Sequence, residues 1–146
     1  MAKPRKDVGT RLGFRSGLEE STASDLQQRG VEVRYEERRL KYTKPATPST
    51  YTPDFILPNG IVIETKGRFV PADRKKHLLL QKEHPDLDIR FVFSRSATRL
   101  SKTSKTTYAA WCEKNGFKYA DKRIPQAWID EPPCDRRIEA INKATK

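Results

Sequence analysis

The sequence predicts an α/β protein with a mixed central sheet flanked by helices, in the element order α, β, β, β, α, β. Three observations predict this class. Apolar runs rich in β-branched residues surround Pro58-Asn59-Gly60, which is typical of a β-hairpin. Residues 61–93 have the pattern strand, helix, strand, and that spacing fits a right-handed crossover between parallel strands. A helix is predicted over residues 17–29, ahead of the hairpin.

The elements before the hairpin have local signals of their own. Ser16 and Glu19 have the spacing of a capping box, and Gly30 is placed to end the first helix. Residues 31–35 alternate between apolar and polar side chains, which predicts a strand with one wet face that continues irregularly to Tyr42.

The elements after the hairpin are marked by proline and glycine. Pro71 is suited to the first turn of a helix that runs to about Glu83. Residues 89–93 are predicted to form a buried strand. A further helix is predicted over residues 108–115, followed by a short strand at 117–120.

A chain of 146 residues fits one domain with an adequate core. We assign residues 1–13 to a disordered basic arm, 14–130 to the single domain and 131–146 to a basic C-terminal tail. Residues 43–50 contain two prolines and no glycine, which predicts a stiff, extended connector. It is either a surface loop or a bridge that carries residues 1–42 into a second subunit.

The charge balance points to a nucleic-acid partner. The formal net charge is +11 and the isoelectric point is about 9.8, which favours a polyanionic partner. The sequence shows neither an apolar run long enough to span a membrane nor a secretory signal. Cys112 and Cys134 lack zinc-site spacing and are interpreted as free thiols in a reducing compartment.

The hairpin places charged residues in a pattern that depends on its register. With a three-residue loop at 58–60, Asp54 lies opposite Glu64, and Lys66 shares their face. Facing carboxylates repel each other, so Lys66 and a divalent metal are the cations expected between them. A two-residue turn would place the carboxylates on opposite faces. The sequence leaves both registers open, as well as the simpler interpretation of Glu64 and Lys66 as a solvated ion pair.

Several cationic segments are candidates for binding DNA phosphates. Arg15 and Ser16 stand just ahead of a helix N-terminus, where a phosphate can bind. The basic residues at 74–76 are either a phosphate clamp or a solvated helix face. The segment at 94–107 has cations among serines and threonines and is either a phosphate-binding or a flexible surface loop. The candidates are Arg15, Ser16, Arg74, Lys75, Lys76, Arg95, Arg99, Lys102 and Lys105.

Pro53-Asp54 followed by Glu64-Thr65-Lys66 resembles the Pro-Asp…(Asp/Glu)-x-Lys pattern of restriction-endonuclease-like nucleases. Further motifs make the chain similar to the bacteriophage endonuclease I family of Holliday-junction resolvases, over about residues 14–130. These motifs are Phe14-Arg15-Ser16-Gly17-Leu18-Glu19, Tyr51-Thr52-Pro53-Asp54-Phe55, Leu57-Pro58-Asn59-Gly60-Ile61, Glu64-Thr65-Lys66-Gly67, Asp73-Arg74-Lys75-Lys76-His77-Leu78-Leu79 and Cys112-Glu113-Lys114.

The resemblance implies a restriction-endonuclease-like core and a domain-swapped homodimer bridged by the connector. It implies that each active site combines Glu19 of one chain with Asp54, Glu64 and Lys66 of the other. From residue types alone, Glu19 reads as part of the capping box, so the resemblance assigns it a second role.

The resemblance also implies cleavage of branched DNA with Mg²⁺, and Mn²⁺ is expected to substitute. Two ions per site would share Asp54, with Glu64 and Glu19 as outer ligands and the Thr65 carbonyl as a further one. Lys66 would position the attacking water or stabilise the pentacovalent phosphate. The expected location is the cytoplasm of an infected bacterial cell. Two alternatives remain: a related nuclease that cuts linear duplex, and a non-catalytic, basic nucleic-acid-binding domain with structural carboxylates.

Overall fold

The computed structural model describes residues 17–44 and 47–145. The predicted arm, Arg15 and Ser16 lie outside these ranges. The described elements, in chain order, are α1 (Gly17–Gln28), β1 (Leu40–Lys44), β2 (Thr47–Tyr51), β3 (Phe55–Ile56), β4 (Val62–Lys66), α2 (Pro71–Glu83), β5 (Ile89–Phe93), α3 (Tyr108–Asn115), β6 (Lys118–Asp121), α4 (Gln126–Asp130) and α5 (Asp135–Thr145).

The main sheet has four strands in the order β3-β4-β5-β6. Strand β3 pairs antiparallel with β4, whereas β4, β5 and β6 pair in parallel. Helix α2 connects β4 to β5, and Pro71 stands at its start, where a missing backbone N–H costs nothing. The α/β class, the mixed sheet and the parallel crossover are therefore confirmed.

The sheet is buried on both faces because apolar residues occupy successive positions of its central strands. Val62 and Phe91 pack into a cluster with α2, α3 and α5, and Ile63 and Val92 pack into a second cluster that includes Leu26 of α1. Side chains of neighbouring strand residues point to opposite faces, so these runs supply two cores at once. Among the described residues, no helix has the length and apolar character needed to cross a membrane.

The predicted strand at residues 31–35 is wrong. Within the described chain, this segment contributes one isolated bridge, Tyr35 with Phe55, and the next strand begins at Leu40. The predicted continuation toward Tyr42 is interrupted by local backbone geometry, because Glu36, directly after the bridge, has φ of 51° in the left-handed region.

The described residues of the connector, 43–44 and 47–50, belong to two strands that pair with each other in this single chain. Strands β1 and β2 form an antiparallel hairpin in which Leu40 lies opposite Tyr51, and residues 45 and 46 at its turn lie outside the described ranges. Leu40, Tyr42 and Tyr51 are buried in the core cluster that also holds residues of α2. Burial of these side chains accounts for the folded-back conformation.

The segment predicted as a basic tail forms a packed helix over most of its length. Ile141 and Ala144 of α5 are 3% and 2% exposed and join the cluster that contains Leu40 of β1. Their three-residue spacing places them on one helix face, which the basic composition of the segment obscures.

A buried arginine on β5 links the segment before α5 to the main sheet through hydrogen bonds. The Arg90 guanidinium on β5 donates to both oxygens of Asp88 and both oxygens of Glu131, and it lies 5.2 Å from the centroid of the Trp128 ring. Bidentate pairing satisfies a charge that would otherwise be costly to bury. Hydrogen bonds from Arg90 and Arg137 lower the pKa of Glu131 to about 2.

Candidate active site

The β3–β4 hairpin adopts the register with a three-residue loop. Phe55 lies opposite Ile63 and Ile56 opposite Val62, so that the next position outward places Asp54 opposite Glu64. The Leu57 N–H donates to the Ile61 carbonyl at 2.8 Å and closes the loop. Gly60 has φ of 94°, and a Cβ there would lie 2.7 Å from Cβ of Arg137, so both conformation and space require glycine.

Asp54 is fixed by the strand it faces. Its Oδ2 accepts hydrogen bonds from the Thr65 backbone N–H at 2.9 Å and from Thr65 Oγ1 at 2.7 Å. Asp54 is 8% exposed, and β3 begins only at the following residue. Its carboxylate therefore takes the place of a strand partner for the Thr65 N–H. The role of the Thr65 carbonyl as a metal ligand stays a prediction.

The Glu64 side chain points toward α2, on the face of β4 that Val62 shares. Its Oε2 accepts a hydrogen bond of 2.6 Å from the Tyr51 hydroxyl and lies 3.9 Å from His77 Nε2. Burial and then repulsion by Asp54 raise the pKa of Glu64 well above its ordinary value, while Lys66 and Tyr51 act in the opposite direction. Two carboxyl groups in such proximity favour a bound proton or a cation.

Glu19 of α1 reaches Asp54 within the same chain. Ligand oxygens of Glu19, Glu36 and Asp54 all lie within 4.8 Å of one another. The Tyr35 hydroxyl donates to Glu19, and burial followed by its hydrogen bonds to Glu19 and Glu36 raises the pKa of Tyr35. Hard divalent cations such as Mg²⁺ and Mn²⁺ prefer oxygen ligands of this kind, so the donor set fits the metal that the resemblance implies.

Glu36 is a site residue that the sequence interpretation missed. Tyr35 pairs with Phe55, which places Glu36 beside Asp54, and the Glu36 N–H donates to the Asp54 carbonyl at 3.0 Å. No spacing motif marks this contact. The acidic residues at positions 32, 36 and 37 look alike in the sequence, and only the bridge to β3 selects one of them.

Lys66 lies at the carboxyl end of β4, where its Nζ is 3.5 Å from Oδ1 of Asp73 in the first turn of α2. Its side chain is 16% exposed, so it faces both the carboxylates and the surface. Asp73 is also 4.0 Å from Nζ of Lys76. The hairpin and the start of α2 thus bring acidic and basic groups together at one end of the sheet.

The three predicted DNA-binding residues of α2 differ in whether their side chains contact the protein or face solvent. Arg74 donates to the Phe69 carbonyl at 2.6 Å, and Lys76 lies 5.4 Å from the centroid of the Tyr51 ring. Lys75 is exposed. Arg74 and Lys76 therefore have contacts within the protein, and Lys75 presents its side chain to solvent.

The basic segment at residues 94–107 begins at the same end of the sheet as Lys66. The Ser94 N–H donates to the Lys66 carbonyl at 3.1 Å, and Ser96 donates to Asp121 through both its N–H and its hydroxyl. This anchored loop carries four cationic side chains on its surface. The exposed cations are Arg95, Arg99, Lys102 and Lys105.

Comparisons with known proteins bear on this arrangement. The family model described as phage endonuclease I matches residues 1–146, so the match includes every residue of the site. Endonuclease I of Escherichia phage T7 is 52% identical over 139 residues, which cover 92% of this chain and 91% of that protein. Endodeoxyribonuclease 1 of Enterobacteria phage T3 is 53% identical over 119 residues, which cover 82% and 78% of the two chains.

Proposed function

Because the chain belongs to the phage endonuclease I family, we propose that it is a metal-dependent nuclease that resolves four-way DNA junctions and other branched DNA. The observation that carries the proposal is the convergence of Glu19, Glu36 and Asp54, with Glu64 as a further neighbour of Asp54. Mg²⁺ is the proposed cofactor, Mn²⁺ the expected substitute, and two ions per site are proposed.

The carboxylates would hold these ions, with Asp54 as the residue common to both. It lies opposite Glu64 in the hairpin register and within 4.8 Å of the ligand atoms of Glu19 and Glu36. When bound, divalent cations supply Lewis-acid stabilisation and an activated water for phosphodiester hydrolysis. Thr65 contributes by holding Asp54 through two hydrogen bonds, which fix the carboxylate before substrate binds.

Lys66 would act on the substrate directly. Its ammonium is positioned on the Glu64 side of β4, two residues beyond Glu64, where a phosphate entering the site would replace solvent. A fixed positive charge at this point stabilises the negative charge that accumulates on the phosphate oxygens during hydrolysis. Asp73 limits how far the side chain moves, which keeps the charge near the carboxylates.

The substrate surface is proposed to continue from Lys66 onto the loop at residues 94–107. Exposed cations next to serine and threonine hydroxyls suit contacts to the DNA backbone, which carry orientation rather than sequence. Recognition by branch shape fits this surface. We propose that this activity takes place in the cytoplasm of infected bacterial cells, an expectation supported by the phage origin of the similar proteins.

A restriction-endonuclease-like core and a domain-swapped homodimer are part of the proposal. Paired cuts across a four-way junction call for two sites related by symmetry, which a two-fold dimer supplies. Opening of the β1–β2 hairpin at residues 45–46 would carry α1 to a second copy. Glu19 would then meet Asp54 of that copy in place of Asp54 of its own chain.

The deciding experiment is cleavage of a labelled four-way junction with unlabelled linear duplex as competitor. We expect Mg²⁺-dependent cutting by the wild type, a loss of at least about 100-fold in Glu64→Ala, and retained junction binding in Ca²⁺. Glu139→Ala, an exposed carboxylate on α5, is the matched control and should cut normally.

Two outcomes would overturn the assignment in different ways. Equal cutting of the linear competitor would favour a nuclease without junction selectivity. Tight junction binding without cutting in Mg²⁺ or Mn²⁺, with a normally folded protein, would favour a binding domain in which the carboxylates are structural.

A further inference from the structure

Two tyrosines hold the outer carboxylates of the site. We propose that Tyr35 and Tyr51 are positioning residues, each of which donates a hydroxyl hydrogen bond that fixes one metal-binding carboxylate, Glu19 or Glu64. This inference rests on the proposed metal-dependent function and adds two residues that neither the carboxylate pattern nor the lysine identifies.

Tyr51 is held rigidly at the end of β2. Its side chain is buried, and its ring makes an edge-on contact with His77 at a centroid distance of 5.1 Å. Lys76 Nζ lies 5.4 Å from the same ring centroid. From this fixed ring, the hydroxyl donates to Glu64 Oε2 at 2.6 Å. One oxygen of Glu64 is thus engaged, and rotation of the carboxylate is restricted.

Tyr35 holds Glu19 in a corresponding way. Its backbone pairs with Phe55, the residue after Asp54, and its ring packs on the Phe55 ring at 5.4 Å between centroids. Its hydroxyl donates to Glu19 Oε2. Tyr35 therefore ties a side chain of α1 to the strand that presents Asp54, although Glu19 and Asp54 lie far apart in the sequence.

A neutral donor is chemically suited to this task. A lysine or arginine bound to Glu19 or Glu64 would compensate the negative charge that a divalent cation needs. A tyrosine hydroxyl orients the carboxylate and leaves its charge in place. Hydrogen-bond partners of metal ligands commonly contribute 10- to 100-fold to metal affinity or activity, which sets the expected size of the effect.

Each tyrosine and its carboxylate lie on the same side of the connection between β1 and β2. Glu19 and Tyr35 both precede this connection in the sequence, and Tyr51 and Glu64 both follow it. An exchange of the N-terminal segment between two copies would therefore move Glu19 together with its donor. The proposed role holds for both the folded-back chain and a swapped dimer.

The test uses Tyr35→Phe and Tyr51→Phe, which remove only the hydroxyl. Tyr119→Phe is the matched control, because the Tyr119 hydroxyl donates to Glu113 at the same distance of 2.6 Å in an exposed pair outside the site. Calorimetric titration with Mn²⁺, without DNA, measures metal affinity independently of cleavage. A second series measures the Mg²⁺ concentration needed for half-maximal junction cutting.

We expect Mn²⁺ affinity to fall about 10- to 100-fold in each site variant and the half-maximal Mg²⁺ concentration to rise about as much. Tyr119→Phe should match the wild type in both measurements. A wild type that neither binds Mn²⁺ nor cuts would overturn the proposed function. A wild type that binds and cuts, with unchanged metal affinity in both site variants, would overturn the positioning role. If one variant fails to fold, the other decides by the same titration.

Discussion

His77 lies against Glu64 with a fully buried side chain. Among the described residues, both of its ring nitrogens lack a hydrogen-bond partner. Edge-on contacts with Tyr51 and Phe91, at 5.1 and 4.8 Å between centroids, hold the ring. Burial, followed by the charges of Lys66 and Lys76, lowers the pKa of His77 well below its ordinary value of 6.5. The folded protein therefore keeps this imidazole neutral.

This neutral histidine makes stability depend on pH. Below pH 6.5 the unfolded chain binds a proton at His77 that the folded chain does not, so the free energy of unfolding falls as pH decreases. The contribution approaches about 1.4 kcal/mol per pH unit. Glu64, whose pKa is raised, contributes in the opposite direction, so the test is the difference between the two proteins: in urea unfolding between pH 5.0 and 7.5, the stability of the wild type relative to His77→Phe should fall with this slope below pH 6.5. Identical slopes in the two proteins would contradict the assignment.

The pairing of Asp54 with Glu64 can be predicted from the sequence because the number of loop residues sets which residues of a hairpin lie opposite each other. Asp54 and Glu64 lie on opposite strands of one turn, and the three-residue loop that brings them together was one of two explicit alternatives. Glu36, Tyr35 and Tyr51 were not accessible in this way. Their roles depend on long-range contacts to β3 and β4 that no local pattern encodes.

At the scale of elements, the helix ends that the sequence predicts well are those marked by proline or glycine. Helix α2 begins at Pro71, and α3 ends before Gly116, which has φ of 79° at its cap. Both were predicted within a residue because a fixed φ and a left-handed cap are local requirements. Helix α5 has neither a proline at its first position nor a glycine after its end. Its buried residues, Ile141 and Ala144, stand among many charged ones, so the sequence does not show an obvious apolar face.

The packing of α5 makes a specific prediction. Ile141 is 3% exposed, so Ile141→Ala should lower the free energy of unfolding by about 2–4 kcal/mol through lost burial and a cavity. Glu139→Ala, two residues away on the exposed side of the helix, should change it by less than about 0.5 kcal/mol. Chemical denaturation measures both. Equal, negligible effects would contradict the packing of α5 against the core.

At the scale of the whole molecule, the β1–β2 turn decides how many chains build one site. Residues 17–44 carry Glu19 and Glu36, and residues 47–145 carry Asp54, Glu64 and Lys66. Both segments meet within one chain here. The paired strands β1 and β2 join the two segments, so exchange of α1 between two copies would require this hairpin to open.

Exchange is testable by mixing two inactive variants. Glu19→Ala and Asp54→Ala chains, refolded together, would place both substitutions in one site of a swapped heterodimer and leave the other site intact. We expect nicking of one junction strand at roughly half the wild-type rate per dimer, which is the share of intact sites. Each variant alone is the control. Verified heterodimers without nicking would show that each chain builds its own site.

The loop at residues 58–60 carries no catalytic group, yet its length is part of the chemistry. Loss of one residue there would turn Asp54 and Glu64 to opposite faces of the sheet, because side chains alternate along a strand. Most surface loops absorb insertions and deletions freely. In this loop we expect related sequences to keep the length, the glycine that Arg137 crowds, and the buried Asn59, whose side-chain amide donates to the Trp128 and Glu131 carbonyls.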